Sequence, residues 1–275
     1  MLVPALVGVV LFQWSPLVDV IVQSLQKANP FTGRSYGGFG LGNYKQVFTD
    51  PTFRRSILNT AAYIVLTLVI EIPCGLVLAV LINQRLPSAR FARGAIIAAL
   101  AASEPVAALI WSQMYQPKFG LINSVFSFLH LPSQPLLTSP HQALIAITLM
   151  SVWRGVGLPM LVFLGGLQAI PDEVYDACAL DGAGAVRQLW SVTLPMLRPC
   201  LVVAVFMSTL SGARIFTPIS VMTQGGPRDS TSNLIFYSFQ QAFSYQSFGT
   251  ASAAAVVMLL LLVTISGIQA RLLRG

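Results

Sequence analysis

The 275 residues carry a formal net charge of +7, yet only 9% of them are charged and 55% are apolar, with a mean hydropathy of +0.73. A soluble domain normally needs about 25% charged residues to wet its surface, so this composition excludes an ordinary soluble globule and points to membrane lipid as the solvent. The basic balance does not indicate nucleic acid either: Lys and Arg are scattered between apolar runs without a basic stripe, as juxtamembrane loops require.

Apolar runs occupy residues 2–22, 57–82, 94–111, 143–170, 201–222 and 250–270. Each is near the roughly 20 residues that a hydrocarbon core about 30 Å thick requires. Backbone amides in lipid must pair within their own segment, so the runs are expected as helices, and none has the period of two of a barrel strand. The first run, from Met1, lacks a basic leader and an A-x-A cleavage site and reads as a retained span. Pro105 is expected to kink the third. The expected fold class is all-α, a polytopic membrane bundle of about six transmembrane helices forming a single domain over residues 1–275.

The connections are polar. Residues 23–56 form a long one, 83–93 a short basic one, and 112–142 one with an amphipathic stretch at 121–131. The connection 223–249 opens on the turn signal Gly225-Gly226-Pro227. Seven basic residues fall on each side of the membrane, so the count alone sets no orientation. The compact cluster Arg85, Arg90 and Arg93, with Arg271 and Arg274, favours its own side as cytoplasmic.

The connection 171–199 stands apart. Pro171 suits a helix start, with Asp172 and Glu173 favourable at its positive end. Val174, Tyr175 and Cys178 then form an apolar face at helical spacing. Asp181-Gly182 ends that helix. A second short helix follows, presenting Val186, Leu189, Trp190 and Val192, and Pro195 and Pro199 close the segment. Exposed apolar side chains among four acids mark a partner surface.

The run Asp176-Ala177-Cys178-Ala179-Leu180-Asp181-Gly182-Ala183, followed by Val192-Thr193-Leu194-Pro195, resembles the EAA loop of ABC-importer permeases. That loop has Glu-Ala-Ala, a Gly six residues after the Glu, and an aliphatic-x-Leu-Pro ending. Asp176 replaces the usual Glu and is one methylene shorter; Cys178 replaces the second Ala. Gly42-Asn43-Tyr44, Asn59-Thr60, Trp153 and Thr223-Gln224-Gly225-Gly226-Pro227 extend the resemblance over nearly the whole chain, to carbohydrate-type permeases and within them to the maltose-type first subunit.

The resemblance implies a type I ABC importer permease fold in a bacterial inner membrane, with both termini and the EAA-like loop cytoplasmic. It implies three partners: a second, homologous permease, a cytoplasmic ABC ATPase dimer, and an external solute-binding protein. In the loop, Asp176 would pair with a basic group of the ATPase, Gly182 and Ala183 would let the helix seat closely, and Trp190 would fill an apolar pocket. Ala177, Asp181, Leu194 and Pro195 complete the coupling set.

The chain itself is not expected to be an enzyme. A P-loop needs Gly-Lys-[Ser/Thr], whereas Lys27, Lys45 and Lys118 follow Gln26, Tyr44 and Pro117. ATP and Mg are therefore expected on the partner ATPase, with no cofactor here. Cys74, Cys178 and Cys200 give no disulfide framework or zinc spacing, and His130 and His141 are solitary. A stand-alone secondary transporter is the alternative; it would show Gly/Pro-broken helices in paired inverted repeats, and none is expected from this sequence.

Glu71, Glu104, Arg154 and Arg214 fall within or beside the spans, where an ionised group costs at least about 2.5–3.5 kcal/mol. Two readings stand side by side. The acids and arginines pair with one another, or they line a polar solute path. Two arginines in one cavity suit a glycerol-phosphate-type solute, whereas a neutral sugar would use amides, hydroxyls and aromatic faces. Trp153, Thr217 and Ser220 are placed in the path on either reading.

Overall fold

The longest helix owes its start to two residues. In this computed structural model, which describes residues 7–8, 10–28, 35–84 and 87–272, the Asp50 carboxylate accepts a hydrogen bond from the Thr52 amide at 2.8 Å, and Pro51 occupies the first turn. The helix then runs 33 residues, Pro51–Asn83. At 1.5 Å per residue that is about 50 Å, longer than the hydrocarbon core.

Ahead of it lie a π-turn (Val10–Trp14), α1 (Ser15–Leu25), an antiparallel hairpin of β1 (Gln26–Ala28) and β2 (Ser35–Phe39), and α2 (Gly42–Thr49). Pro51–Asn83 is α3. Then come α4 (Pro87–Ala101), α5 (Glu104–Met114), α6 (Leu121–Phe128), α7 (Ala143–Gly155) and α8 (Gly157–Gln168). The segment after α8 holds α9 (Asp172–Leu180), α10 (Ala185–Gln188), a π-turn (Leu189–Thr193) and α11 (Leu194–Met196). The chain ends with α12 (Arg198–Ala213), α13 (Thr217–Met222), α14 (Leu234–Phe239) and α15 (Phe248–Leu272).

Three segments are long and apolar enough to cross a membrane: Pro51–Asn83, Arg198–Met222 and Phe248–Arg271. Two bent pairs, α4 with α5 and α7 with α8, pass the same test together. The shorter apolar Val10–Leu25 overlaps the expected first span, whose residues 1–6 and 9 lie outside the described residues. These segments overlap the six expected runs, and among the described residues three helices, or five spans if each bent pair is one, are long and apolar enough to cross.

Their interiors differ from expectation in a consistent way. Residues 94–111 are not one kinked helix: α4 and α5 meet at 102° across Ala102-Ser103. Pro105 has no amide hydrogen to donate and so sits in the first turn of a new helix. Residues 143–170 bend by 44° at Val156, because Pro159 withholds a hydrogen bond from the Gly155 carbonyl four residues back. Residues 201–222 are interrupted at 214–216, four residues before Pro218. Pro73 lies inside α3 and leaves the Val69 carbonyl without its helical partner. A kink was expected at Pro105 alone; the bend is sharper there than a kink, and the breaks by Pro159 and Pro218 were not expected. Two connections are corrected: Arg54 and Arg55 lie inside α3, and Arg90 and Arg93 inside α4. The hairpin was not expected.

α3 organises the packing. Its first half meets α2, α12, α14 and α15 in a core of Phe53, Ile64, Ala213, Leu234, Tyr237 and Ala254. Its last turns meet α8 and α12 through Ala79, Met160, Phe163, Leu164 and Ala204. Close approach there depends on Gly166, where a Cβ would lie 2.4 Å from Cys200 Sγ. Leu58, Val65, Val69, Val77 and Leu81 form an exposed apolar strip on the outside of α3, as a lipid-facing helix requires.

Candidate functional site

Midway along α3, Tyr63, Thr67 and Glu71 recur at four-residue spacing and so share one face. They form one wall of a cavity of about 390 Å³. Glu104 of α5, Met150, Ser151, Arg154 and Gly155 of α7, and Ser211, Gly212, Arg214 and Ile215 at the end of α12 form the rest. All four ionisable residues singled out in the spans converge here. Each lies near one of the four prolines described above: Glu71 by Pro73, Glu104 by Pro105, Arg154 by Pro159 and Arg214 by Pro218. The broken helices supply carbonyls that an unbroken one would consume. Arg154 Nε donates to the Ala102 carbonyl at 3.1 Å, at the α4–α5 break.

The four groups are not equivalent. Arg154 also faces Glu104, Nη1 to Oε1 at 3.8 Å, with both side chains part-exposed. Glu71 is only 6% exposed and lies against Gly155, where an added Cβ would come within 2.7 Å of Glu71 Oε1. Gly155 is therefore the space that the carboxylate occupies. Arg214 is exposed; its Nε donates to the Leu210 carbonyl at 3.2 Å, and its Nη groups have no hydrogen-bond partner among the described residues.

Three residues placed in the path by sequence do not line this cavity. Trp153 points to the other side of α7, 44% exposed, with its ring 5.5 Å from that of Trp111. Thr217 and Ser220 lie on α13, beyond the break, and are not in its lining. Trp153 is one residue from Arg154 and so about 100° around the helix from it, whereas Thr217 and Ser220 follow the break after Arg214. Tyr63, Thr67, Ser151, Gly155 and Ser211 were missed, although a polar residue every fourth position of an apolar run was the signal for the first two.

At the C-terminal end of α3 lies the segment 172–196. Asp172 and Glu173 occupy the first turn of α9, and Val174, Tyr175 and Cys178 are its half-buried face. The helix ends on a Schellman motif: the Ala183 amide donates to the Cys178 carbonyl and the Gly182 amide to the Ala179 carbonyl, both at 3.0 Å. Gly182 takes φ +74°, the left-handed value such a cap needs, and open space surrounds it. Leu180, Val186 and Trp190 are exposed at 90%, 72% and 68%. Asp176, Ala177, Asp181 and Pro195 are exposed too, and Ala183 and Leu194 half-buried. The Tyr175 and Thr193 hydroxyls meet at 3.2 Å, and Gln188 Nε2 donates to the Ala183 carbonyl at 2.9 Å.

The N-terminal end of α3 is tied down by the loop after α13. Asn59 Nδ2 donates to the Asp229 and Ser232 carbonyls, both at 2.8 Å, and the Ser56 and Ser232 hydroxyls meet at 3.0 Å. Asn233 caps α14 by accepting from the Phe236 amide at 2.8 Å and donates to the Ile215 carbonyl. Tyr237 donates to Asp50 at 2.6 Å, and burial raises its phenol above the ordinary value, which keeps it a donor. Among the described residues no group of three or more His, Cys, Asp or Glu is placed to hold a metal ion.

Residues 38–275 match the family model described as "Binding-protein-dependent transport system inner membrane component". The chain belongs to this family. It is a multi-pass permease of an ABC importer. Among curated relatives it is 31% identical to the sulfoquinovosyl glycerol transport system permease protein SmoG of Agrobacterium fabrum, over 100% of this chain and 89% of that one. It is 30% identical to the trehalose/maltose transport system permease protein MalF of Thermococcus litoralis, over 96% and 89%. A solved bacterial ABC transporter for import of the acidic polysaccharide alginate superposes at TM-score 0.86 with 20% identity, covering 100% of this permease and 93% of that chain. The type I importer permease fold expected from the sequence is therefore the fold observed.

Proposed function

We propose that this permease forms half of the path by which a sugar or a glycerol-phosphate-type solute, handed over by an external binding protein, crosses the inner membrane. A homologous permease supplies the other half, and a cytoplasmic ATPase dimer drives the cycle through the segment 172–196. The chain itself performs no chemistry. The reading is carried by one observation: a charged, hydroxyl-lined cavity lies midway along α3, and a segment with exposed apolar side chains lies against the C-terminal end of the same helix. Glu71 and Asn83 are twelve residues, about 18 Å, apart on α3. The relatives' solutes support the class: sulfoquinovosyl glycerol, trehalose/maltose and, for UgpA of Pectobacterium atrosepticum at 30% identity, sn-glycerol-3-phosphate.

In the coupling segment, Asp176 and Asp181 offer exposed carboxylates to basic groups, and Trp190 with Val186 and Leu180 offers apolar surface. The Schellman turn at Gly182 fixes the angle between the two short helices. Its open surroundings give a docked subunit room to approach, so close seating is served by the turn together with the small Ala183. On this reading the segment and both termini lie on the cytoplasmic side. Membrane assemblies purified through this permease are expected to contain a second permease and an ATPase. Gly182→Trp is expected to abolish ATP-dependent uptake in proteoliposomes while insertion persists. Full uptake by that variant, or an assembly without an ATPase, overturns the coupling role.

A further inference from the structure

The cavity presents a solute with an unequal set of charges. Arg154 is engaged twice, by Glu104 and by the Ala102 carbonyl. Glu71 is withdrawn into the α3–α7 contact against Gly155 and is only 6% exposed. Arg214 is left. Its place at the C-terminus of α12 suits a cation, and that structural role uses the Nε–H alone, on the Leu210 carbonyl. Four of its five N–H donors remain, in a cavity whose other part-exposed charges, Arg154 and Glu104, already face each other.

The lining also lacks what a neutral sugar needs. Sugar rings bind by laying their C–H faces on aromatic rings. The only aromatic residue in the lining is Tyr63, which is 3% exposed. Trp111 and Trp153 meet outside it with their ring planes tilted by 52°. At the N-terminal end of α3, a further cavity of about 560 Å³ has Arg55, Arg228 and His141 in its lining and no carboxylate. That second cavity favours anions, and in the central one Arg214 is the cation whose donors stay free among the described residues.

We infer that the solute carried by this permease bears a negative charge, as a phosphorylated, sulfonated or carboxylated polyol or saccharide, and that Arg214 is the residue that reads it. The inference rests on the cavity being the solute path. The guanidinium forks onto the anionic group through charge-assisted hydrogen bonds, while Ser151 and Ser211 are placed for the hydroxyls.

The test uses the complete importer, both permeases with ATPase and binding protein, in ATP-loaded proteoliposomes. These are exposed to yeast small-molecule extract supplemented with equal concentrations of glycerol, sn-glycerol 3-phosphate, glucose, glucuronate and maltose. Mass spectrometry then identifies what accumulates. The expected species are anionic at pH 7. Arg214→Gln lowers their accumulation about tenfold or more, and Arg214→Lys, which keeps the charge, retains the preference for anions. Accumulation of neutral members alone, or undiminished anion uptake by Arg214→Gln, overturns the inference but leaves the permease reading standing. If nothing accumulates in an ATP-dependent way, both fall.

Discussion

The two ends of α3 are built on opposite plans. At the N-terminal end, Asp50, Ser56, Asn59 and Thr60 are bound by groups about 170 residues further along the chain, and Phe53, Leu234 and Tyr237 are sealed beneath them. At the C-terminal end, the hydrogen bonds of Tyr175, Gln188 and Thr193 stay inside their own segment, and its largest apolar side chains face outward. Polar groups satisfied within the chain make a finished structure. Apolar groups left outside it make a surface suited to a partner. One end of the helix stabilises the fold and the other is left for contact.

This contrast is open to a graded series of substitutions. The largest loss of stability is expected for Asn233→Ala, which removes the α14 cap and orphans the Ile215 carbonyl. It should cost about 2–3 kcal/mol, read as a lower temperature of aggregation in detergent. Gly225→Ala comes next, at about 2 kcal/mol, because φ is +81° and the new Cβ would meet Phe236 Cε1 at 2.7 Å; denaturant titration of the purified permease measures it. Gly182→Ala should cost about 1 kcal/mol, since only the left-handed φ opposes it, and faster protease nicking between α9 and α10 is its signature. Trp190→Ala should change stability by no more than about 0.5 kcal/mol while uptake collapses. If Trp190→Ala unfolds the bundle, or Asn233→Ala leaves it intact, the contrast between the ends is wrong.

Much of this was legible in the sequence, for identifiable reasons. The helices follow from backbone satisfaction in lipid. The turn at Gly182 follows from Asp-Gly after an apolar helical face, and the convergence of Glu71, Glu104, Arg154 and Arg214 follows from the cost of charge at that depth. The cavity's true lining was harder to read. Trp153 and Ser220 were chosen for proximity in sequence, where angular position around a helix decides. The breaks at Val156 and 214–216 were missed because Pro159 and Pro218 act on carbonyls four residues upstream, not where they stand. The hairpin of β1 and β2 carries no strong alternation, and only pairing between its strands defines it.

Pro73 has a mechanical consequence. With the Val69 carbonyl unpaired, α3 is most compliant about two residues from Glu71, and the other charged groups sit at similar soft points in their own helices. A swing of about 10° in the ten-residue arm beyond Pro73 displaces its tip by about 3 Å. Motion begun at the tip beside segment 172–196 would therefore gather as angle at this fulcrum, beside Glu71 and the cavity it lines.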